Sequence, residues 1–295
     1  MRRLLLTLFL TLVSLIGATA QEVPFFQNID VKEYGGHKYN FDITIDKEGI
    51  VYVANFEGLL YYDNAEWRII YTKGITRITS VYQDSKGKIW IGGYNYFGYV
   101  KANEKGELVL KDQDEQHAFR GEVQNIWEHK GDIYFSVSNG NIYTAKQYSI
   151  FLSPTAQIPQ PDLSTPLSGV IVTQKIVIGN GRTAVATNGN GLFVFNNKGQ
   201  VLFHLHEDNG LCSNNVSRIA YNGHGMLWGA TDNGIFSVSV PSAYTVFSQD
   251  NGLRNSVLSF AMLNGRIYAG TLGGIFYHSG NTFEQIPKMT HACNR

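Results

Sequence analysis

The chain repeats itself six times, and this repetition restricts its fold more than any other feature. Phrases beginning at Gly49, Gly87, Gly131, Gly181, Gly225 and Gly265 read GIVYVANFEGLLY, GKIWIGGYNYFGY, GDIYFSVSNGNIY, GRTAVATNGNGLF, GMLWGATDNGIFS and GRIYAGTLGGIFY. Their spacings of 38, 44, 50, 44 and 40 residues average about 43. Three places after each first glycine stand Tyr52, Trp90, Tyr134, Ala184, Trp228 and Tyr268. Two places further on there is a small residue: Ala54, Gly92, Ser136, Ala186, Ala230 and Gly270. A second glycine follows in five of the six, at Gly58, Gly140, Gly191, Gly234 and Gly274. A period of this length marks units that cannot bury their apolar faces alone and must pack against their neighbours.

Residues two apart share one face of a strand, so the ring and the small residue point the same way. The opposite face is apolar too, through Val51 and Val53, Ile89 and Ile91, Ile133 and Phe135, and Ile267 and Ala269. A strand apolar on both faces is covered on both. No long stretch has the helical period, so the cover is other sheets. Each unit has room for four short strands; the second offers residues 78–84, 88–92, 97–101 and 108–111. The expected fold is therefore all-β, a β-propeller of six four-stranded blades. The blades fall at about 34–73, 74–112, 115–152, 164–206, 208–249 and 250–287, within a propeller spanning 21–288 and followed by a tail at 289–295. Ala184 makes the fourth blade the most divergent, and a proline-bearing loop, 154–161, precedes it. A ring of six would close if Phe25–Tyr34 gave an outer strand to the last blade. That blade already has a fourth strand of its own near 282–286, so an incomplete or open ring is expected. Its open edge would invite self-association.

The first twenty residues read as an export leader. Met1-Arg2-Arg3 supplies the positive start, Leu4 to Ile16 the apolar stretch, and Ala18-Thr19-Ala20 the cleavage site. That stretch is short of the ~20 residues a membrane helix needs, and no second one follows. A periplasmic or secreted protein, cleaved after Ala20, is expected. Lysine plus arginine equals aspartate plus glutamate at 24 each, so no overall field draws the chain to nucleic acid. Two cysteines, Cys212 and Cys293, are too few for a disulfide framework or a four-cysteine zinc site.

The stretches Asp208-Asn209-Gly210-Leu211, Asn215-Val216, Trp228 and Gly234-Ile235-Phe236 recur as Asp250-Asn251-Gly252-Leu253, Val257, Gly270-Thr271 and Gly274-Ile275-Phe276. These resemble two-component regulator propeller repeats. Glu33-Tyr34-Gly35-Gly36, Gly58-Leu59-Leu60-Tyr61-Tyr62-Asp63 and Trp67 resemble the first blade of the periplasmic sensor in Bacteroidetes-type regulators. The resemblance implies an extracytoplasmic ligand sensor. In that family a triple-tyrosine domain, a membrane helix and a histidine kinase or LuxR-type DNA-binding domain follow the propeller. The chain is accordingly expected to be a truncated N-terminal portion, without an output domain of its own.

In a propeller the inner strand of each blade starts on the face that also carries the loop between its second and third strands. Those positions hold Lys38, Tyr39, Thr76, Arg77, Arg120, Asn214, Asn215, Arg254 and Asn255, with Asn55, Tyr94, Asn95, Asp232 and Asn233 from the loops. Arginines, amides and tyrosines meeting at one mouth suit a small polyhydroxylated or anionic ligand, such as a carbohydrate. The plainer reading is that polar residues populate loops.

Catalytic signals are weak. Gly179-Asn180-Gly181-Arg182-Thr183-Ala184 imitates a dinucleotide fingerprint but opens no helix. His204 and His206 share a strand face without a third metal ligand in view, and Asp46 and Asp84 read as turn residues. No enzyme activity, cofactor or metal is expected. The alternatives are a propeller enzyme resembling streptogramin lyases and a protein-interaction scaffold. The leader generates the first prediction: the mature protein begins at Gln21 outside the cytoplasm. N-terminal sequencing of the protein from its host checks this, and an intact Met1 in the cytosolic fraction would overturn it.

Overall fold

The computed structural model describes residues 23–72, 77–113, 119–146, 149–241, 245–247, 252–279 and 282–291. The leader, Thr76, Asp250-Asn251 and Cys293 lie outside them. Six four-stranded antiparallel sheets are formed by the described residues, five of them as simple meanders. Sheet one runs Asn40–Ile45, Val51–Asn55, Gly58–Tyr62 and Trp67–Tyr71; sheet two Ile78–Gln83, Ile89–Gly93, Tyr96–Ala102 and Leu108–Asp112. Sheet three runs Val123–His129, Asp132–Val137, Ile142–Lys146 and Ser149–Leu152; sheet four Ile171–Ile178, Arg182–Asn188, Leu192–Phe195 and Val201–Leu205. Sheet five takes Val216–Tyr221, Met226–Thr231 and Gly234–Ser239, and sheet six Val257–Leu263, Arg266–Thr271, Gly274–Ser279 and Thr282–Gln285. The repeated phrase spans the second and third strands of every sheet. The first of its glycines closes the hairpin that precedes the second strand. At Asn264-Gly265 both residues have positive φ, 51° and 74°, as a two-residue turn between right-twisted strands requires.

Sheet five corrects one expectation. Its own repeat supplies three strands, and its fourth is the N-terminal Phe26–Ile29, in the register Phe26 to Val238 through Ile29 to Ile235. The segment Phe25–Tyr34 thus serves the fifth sheet rather than the last. Only part of it is strand: Asp30 caps a helical turn at Val31–Tyr34, accepting from Lys32 N at 2.7 Å while Glu33 takes the Asp30 N–H. Asn28 fixes the register by donating to the Gly210 carbonyl at 2.7 Å and accepting from Cys212 N at 3.1 Å.

The described residues form two compact units: Pro24–Tyr244 contains sheets one to five, and sheet six lies in the other. Within the first unit one packing relation recurs. The ring-and-small face of sheet one (Tyr52, Ala54) buries against Ile78, Val81, Ile89 and Ile91 of sheet two. Trp90 and Phe97 of sheet two bury against Val123, Ile133 and Phe135 of sheet three, with Phe97 and Phe135 stacked at 4.0 Å. Trp228 and Ala230 of sheet five meet Ile43, Val51 and Val53 of sheet one. Each such ring contributes a gross ~4–6 kcal/mol from ~150–250 Å² of burial at roughly 25 cal/mol per Å². In sheet six the inner strand Val257–Leu263 is bare, with Phe260 61% and Met262 73% exposed.

The small column is a spacing device. A Cβ built on Gly92 would stand 2.4 Å from Val123 Cγ1, and Val123 is wholly buried. Gly92→Ala should therefore cost about 1–3 kcal/mol, the range for overpacking a filled core. Denaturant unfolding measures it, and an unshifted midpoint would show that sheets two and three can part without loss.

Candidate ligand-binding site

Every inner strand carries one irregularity in the same place. The register shifts between Asn40 and Asp42, Ile78 and Ser80, Val123 and Asn125, Val172 and Gln174, Val216 and Arg218, and Val257 and Ser259. A bulge adds one residue to the strand and re-aims the side chains beside it. The residue after each bulge is polar. In the larger unit these residues, Asp42, Ser80, Asn125, Gln174 and Arg218, all line one cavity of about 450 Å³ bounded by the inner strands of five sheets. Ile43, Ile45, Ile126 and Ile176 supply much of its apolar wall. A recess of this size, with a few convergent polar groups, suits a small ligand.

Part of the polar ring ties neighbouring sheets together. Asp42 accepts from Val81 N at 3.0 Å and from Ser80 Oγ at 3.3 Å across the junction, and from its own neighbour Ile43 N at 2.9 Å. Gln174 Oε1 takes the Ile219 N–H at 2.6 Å in the same manner. Arg218 donates to the carbonyls of Ser217 and Thr173, and Asn125 donates to Ser136 Oγ at 3.1 Å. Burial pushes the Asp42 carboxyl above the usual carboxylate range. The nearby Arg218 charge and then the three hydrogen bonds oppose that rise without cancelling it.

The residues expected at the mouth lie where the inner strands begin and at the adjoining loops, but none of them lines the cavity. Their polar groups are largely spent on structure. Arg77 pairs with Glu122 of the next sheet. Asn95 accepts from Gly121 N at 2.8 Å, and Tyr94 bridges Glu122. Asn215 donates to Asp232 at 2.8 Å, and Ser213 donates to the same carboxylate. Arg120 turns back to the Phe119 carbonyl. Tyr39 stays exposed beside His37, their rings 5.2 Å apart. Arg254 and Asn255 belong to the second unit, where Asn255 lies against Gly273. The five cavity residues were not singled out from sequence, yet a signal exists. Asp42, Ser80, Gln174 and Arg218 stand seven residues before the first glycine of their repeats; Asn125 and Ser259 stand six before theirs, ahead of shorter turns.

The other candidates resolve locally. Asp84 accepts from Lys86 N, Lys88 N and Trp90 Nε1, all at 2.9 Å, so it is a turn residue that also anchors the indole. Asp46 does the same for Glu48 N and Ile50 N. His204 stacks on Phe193 at 3.7 Å with Nε2 2.6 Å from the Asn190 carbonyl, and burial lowers its basicity. Cys212 is held near Thr231, its thiol made less acidic by burial.

Against known proteins, residues 74–95 match the family described as Two component regulator propeller. The extracellular domain assigned to the hybrid two component system BT3049 from B. thetaiotaomicron shares the fold, at 14% identity and a TM-score of 0.51, over 90% of this chain and 49% of that one. That of BT4673 from the same organism is 18% identical over 90% of this chain and 47% of its own, with a TM-score of 0.46. A virginiamycin B lyase from Staphylococcus aureus is 14% identical over 89% and 88%, with a TM-score of 0.35. The chain spans about half the length of the two-component structures it matches. No curated protein matches it by sequence. Among the described residues no helix is long and apolar enough to cross a membrane.

The raised proton affinity of Asp42 has a fixed sign. The folded state holds this proton more tightly than the unfolded one, so the wild type loses stability as pH rises through the folded pKa. Asp42→Asn removes the charge. Its melting temperature relative to wild type should therefore climb as pH rises from about 4, the ordinary carboxylate pKa. A difference independent of pH would show that burial does not penalise this carboxylate.

Proposed function

We propose that the chain is the extracytoplasmic, ligand-sensing propeller of a two-component or one-component transcriptional regulator, and that its ligand is a small polar molecule of carbohydrate type held in the cavity between the inner strands. One observation carries this reading: five strands from five sheets each deliver a polar side chain, at the same point of a repeated bulge, into one recess of about 450 Å³. Hydroxyl-rich ligands need many donors and acceptors fixed in advance, and a ring of strands holds them more rigidly than loops do. The regulator-propeller match at 74–95 and the extracellular two-component domain that shares the fold support the sensing role and the periplasmic location.

The mouth residues Tyr39, Arg77, Tyr94, Asn95, Arg120, Asn215 and Asp232 frame the approach to this recess. In the proposed arrangement sheets one to five complete a ring, since sheet five packs on sheet one and receives Phe26–Ile29. Sheet six belongs to the other compact unit, and self-association would use its exposed strand Val257–Leu263.

Calorimetry with neutral monosaccharides and disaccharides tests the site. Arg218→Gln and Ser80→Ala should each weaken a bound sugar about tenfold, and Arg77→Ala should do so far less. Loss of binding on Arg77→Ala with both cavity variants unaffected would move the site to the mouth. No heat with any sugar would overturn the carbohydrate assignment.

A further inference from the structure

The junction after sheet three is built unlike the others. At sheets one, two and five, the ring-and-small face meets the next sheet directly. Sheet three also carries the pattern, in Tyr134 and Ser136, but here the proline-bearing segment that follows its last strand lies across part of that face. Ser153, residues 155–160 and the ring face of sheet three line an open recess of about 640 Å³. Leu167, further along the same connection, packs on Val185, Phe193 and Phe195 of sheet four. Space that other junctions fill with side chains is left open here.

What lines this space is specific. Trp127 and Tyr134 are direct cross-strand partners whose rings lie 5.9 Å apart and within 16° of parallel. His129 stands edge-on to Tyr134 at 6.5 Å. All three line the cavity, facing Gln157, Pro159 and Gln160 of the segment. Trp90, the counterpart of Tyr134 in sheet two, is buried and donates its Nε1–H to Asp84. Trp127 Nε1 and the Tyr134 hydroxyl have no hydrogen-bond partner among the described residues, and both rings are half-buried. A buried or half-buried Trp or Tyr usually finds a partner for its polar tip. The lining holds no carboxylate, lysine or arginine.

We propose that this cavity is a second ligand site, and that it takes a pyranose ring of a neutral sugar. A flat pair of aromatic faces fits the apolar C–H face of such a ring. The indole N–H, the phenol, the imidazole and two glutamine amides supply donors and acceptors for its hydroxyl edge. An anionic ligand would find no fixed cation there. A purely apolar one would strand the unspent donors. The proposal does not rest on the cavity between the inner strands: it uses other residues, and either site can fail alone.

Titrations of maltose, cellobiose, lactose and mannobiose, followed by saturation-transfer NMR, test it with the full chain. At least one of these probes should receive saturation at its ring C–H protons. Measured in a chain that already carries Arg218→Gln, which weakens the other cavity, Trp127→Ala and Gln157→Ala should each weaken that binding about tenfold or more. Trp127→Phe keeps a ring and removes the donor, so a partial loss is expected if Trp127→Ala fails to fold. Binding that survives Trp127→Ala and Gln157→Ala but is lost in Arg218→Gln belongs to the other cavity and overturns this site. Transfer to none of the four, or binding of indole in their place with the same sensitivity to Trp127, also overturns it.

Discussion

The close approach of one sheet to the next at a single small residue is the constraint on which the larger unit depends. Where Gly92 meets Val123, the missing side chain lets the inner strand of sheet three reach the second strand of sheet two. Ala54 and Ala230 hold the equivalent places at two other junctions, and neither is exposed. With the sheets that close, the large rings on either side fall into contact, as in the run from Trp90 through Phe97 to Phe135 and Phe119. The inner strands are in turn drawn together around a common recess. A bulkier column would hold the sheets apart, and the polar residues after the bulges would no longer share one space.

Those bulges divide structure from chemistry within the same strand. Before the bulge, Asn40, Ile78, Val123 and Val216 are buried and belong to the packing. After it, the side chain is released from the alternation and turns polar without disturbing the core. Asp42 and Gln174 show how economical this is, since each satisfies a backbone N–H of the next sheet while still facing the cavity. The carboxylate that does so is partly desolvated, with Arg218 the charge that most favours it. Neighbouring sheets are thus linked by groups that face the cavity, so that anything occupying it would also bear on the contacts between sheets.

The architecture was legible because the repeat reports it directly. The ring, the small residue and the apolar opposite face each predict a contact that the structure contains, and the strands expected in the second repeat lie within a residue or two of Ile78–Gln83, Ile89–Gly93, Tyr96–Ala102 and Leu108–Asp112. Sheet five's fourth strand was not legible, because Phe26–Ile29 lies some two hundred residues from its partner and has no counterpart in the repeat. The residues read as a polar mouth stand at strand starts and loops, but sequence does not show that Arg77 is committed to Glu122 or Asn215 to Asp232. The cavity residues were hidden for a different reason. A bulge breaks the two-residue alternation that sequence reading relies on, so Asp42 or Gln174 looks like an ordinary outward residue of a strand.

The pairing of Phe26–Ile29 with Gly234–Ser239 also sets an order in time. The strand that completes sheet five is made some two hundred residues before its partner, which is among the last parts of the larger unit. At synthesis rates of about 5–20 residues per second, the early strand waits roughly 10–40 s for that partner to emerge. Closing a loop of that length is entropically slow to be rewarded. During that interval sheets one to four can form in succession, but the unit cannot lock. A chain delivered end-first through a membrane pore would then cross with its clasp undone, and fold as a whole only on the far side.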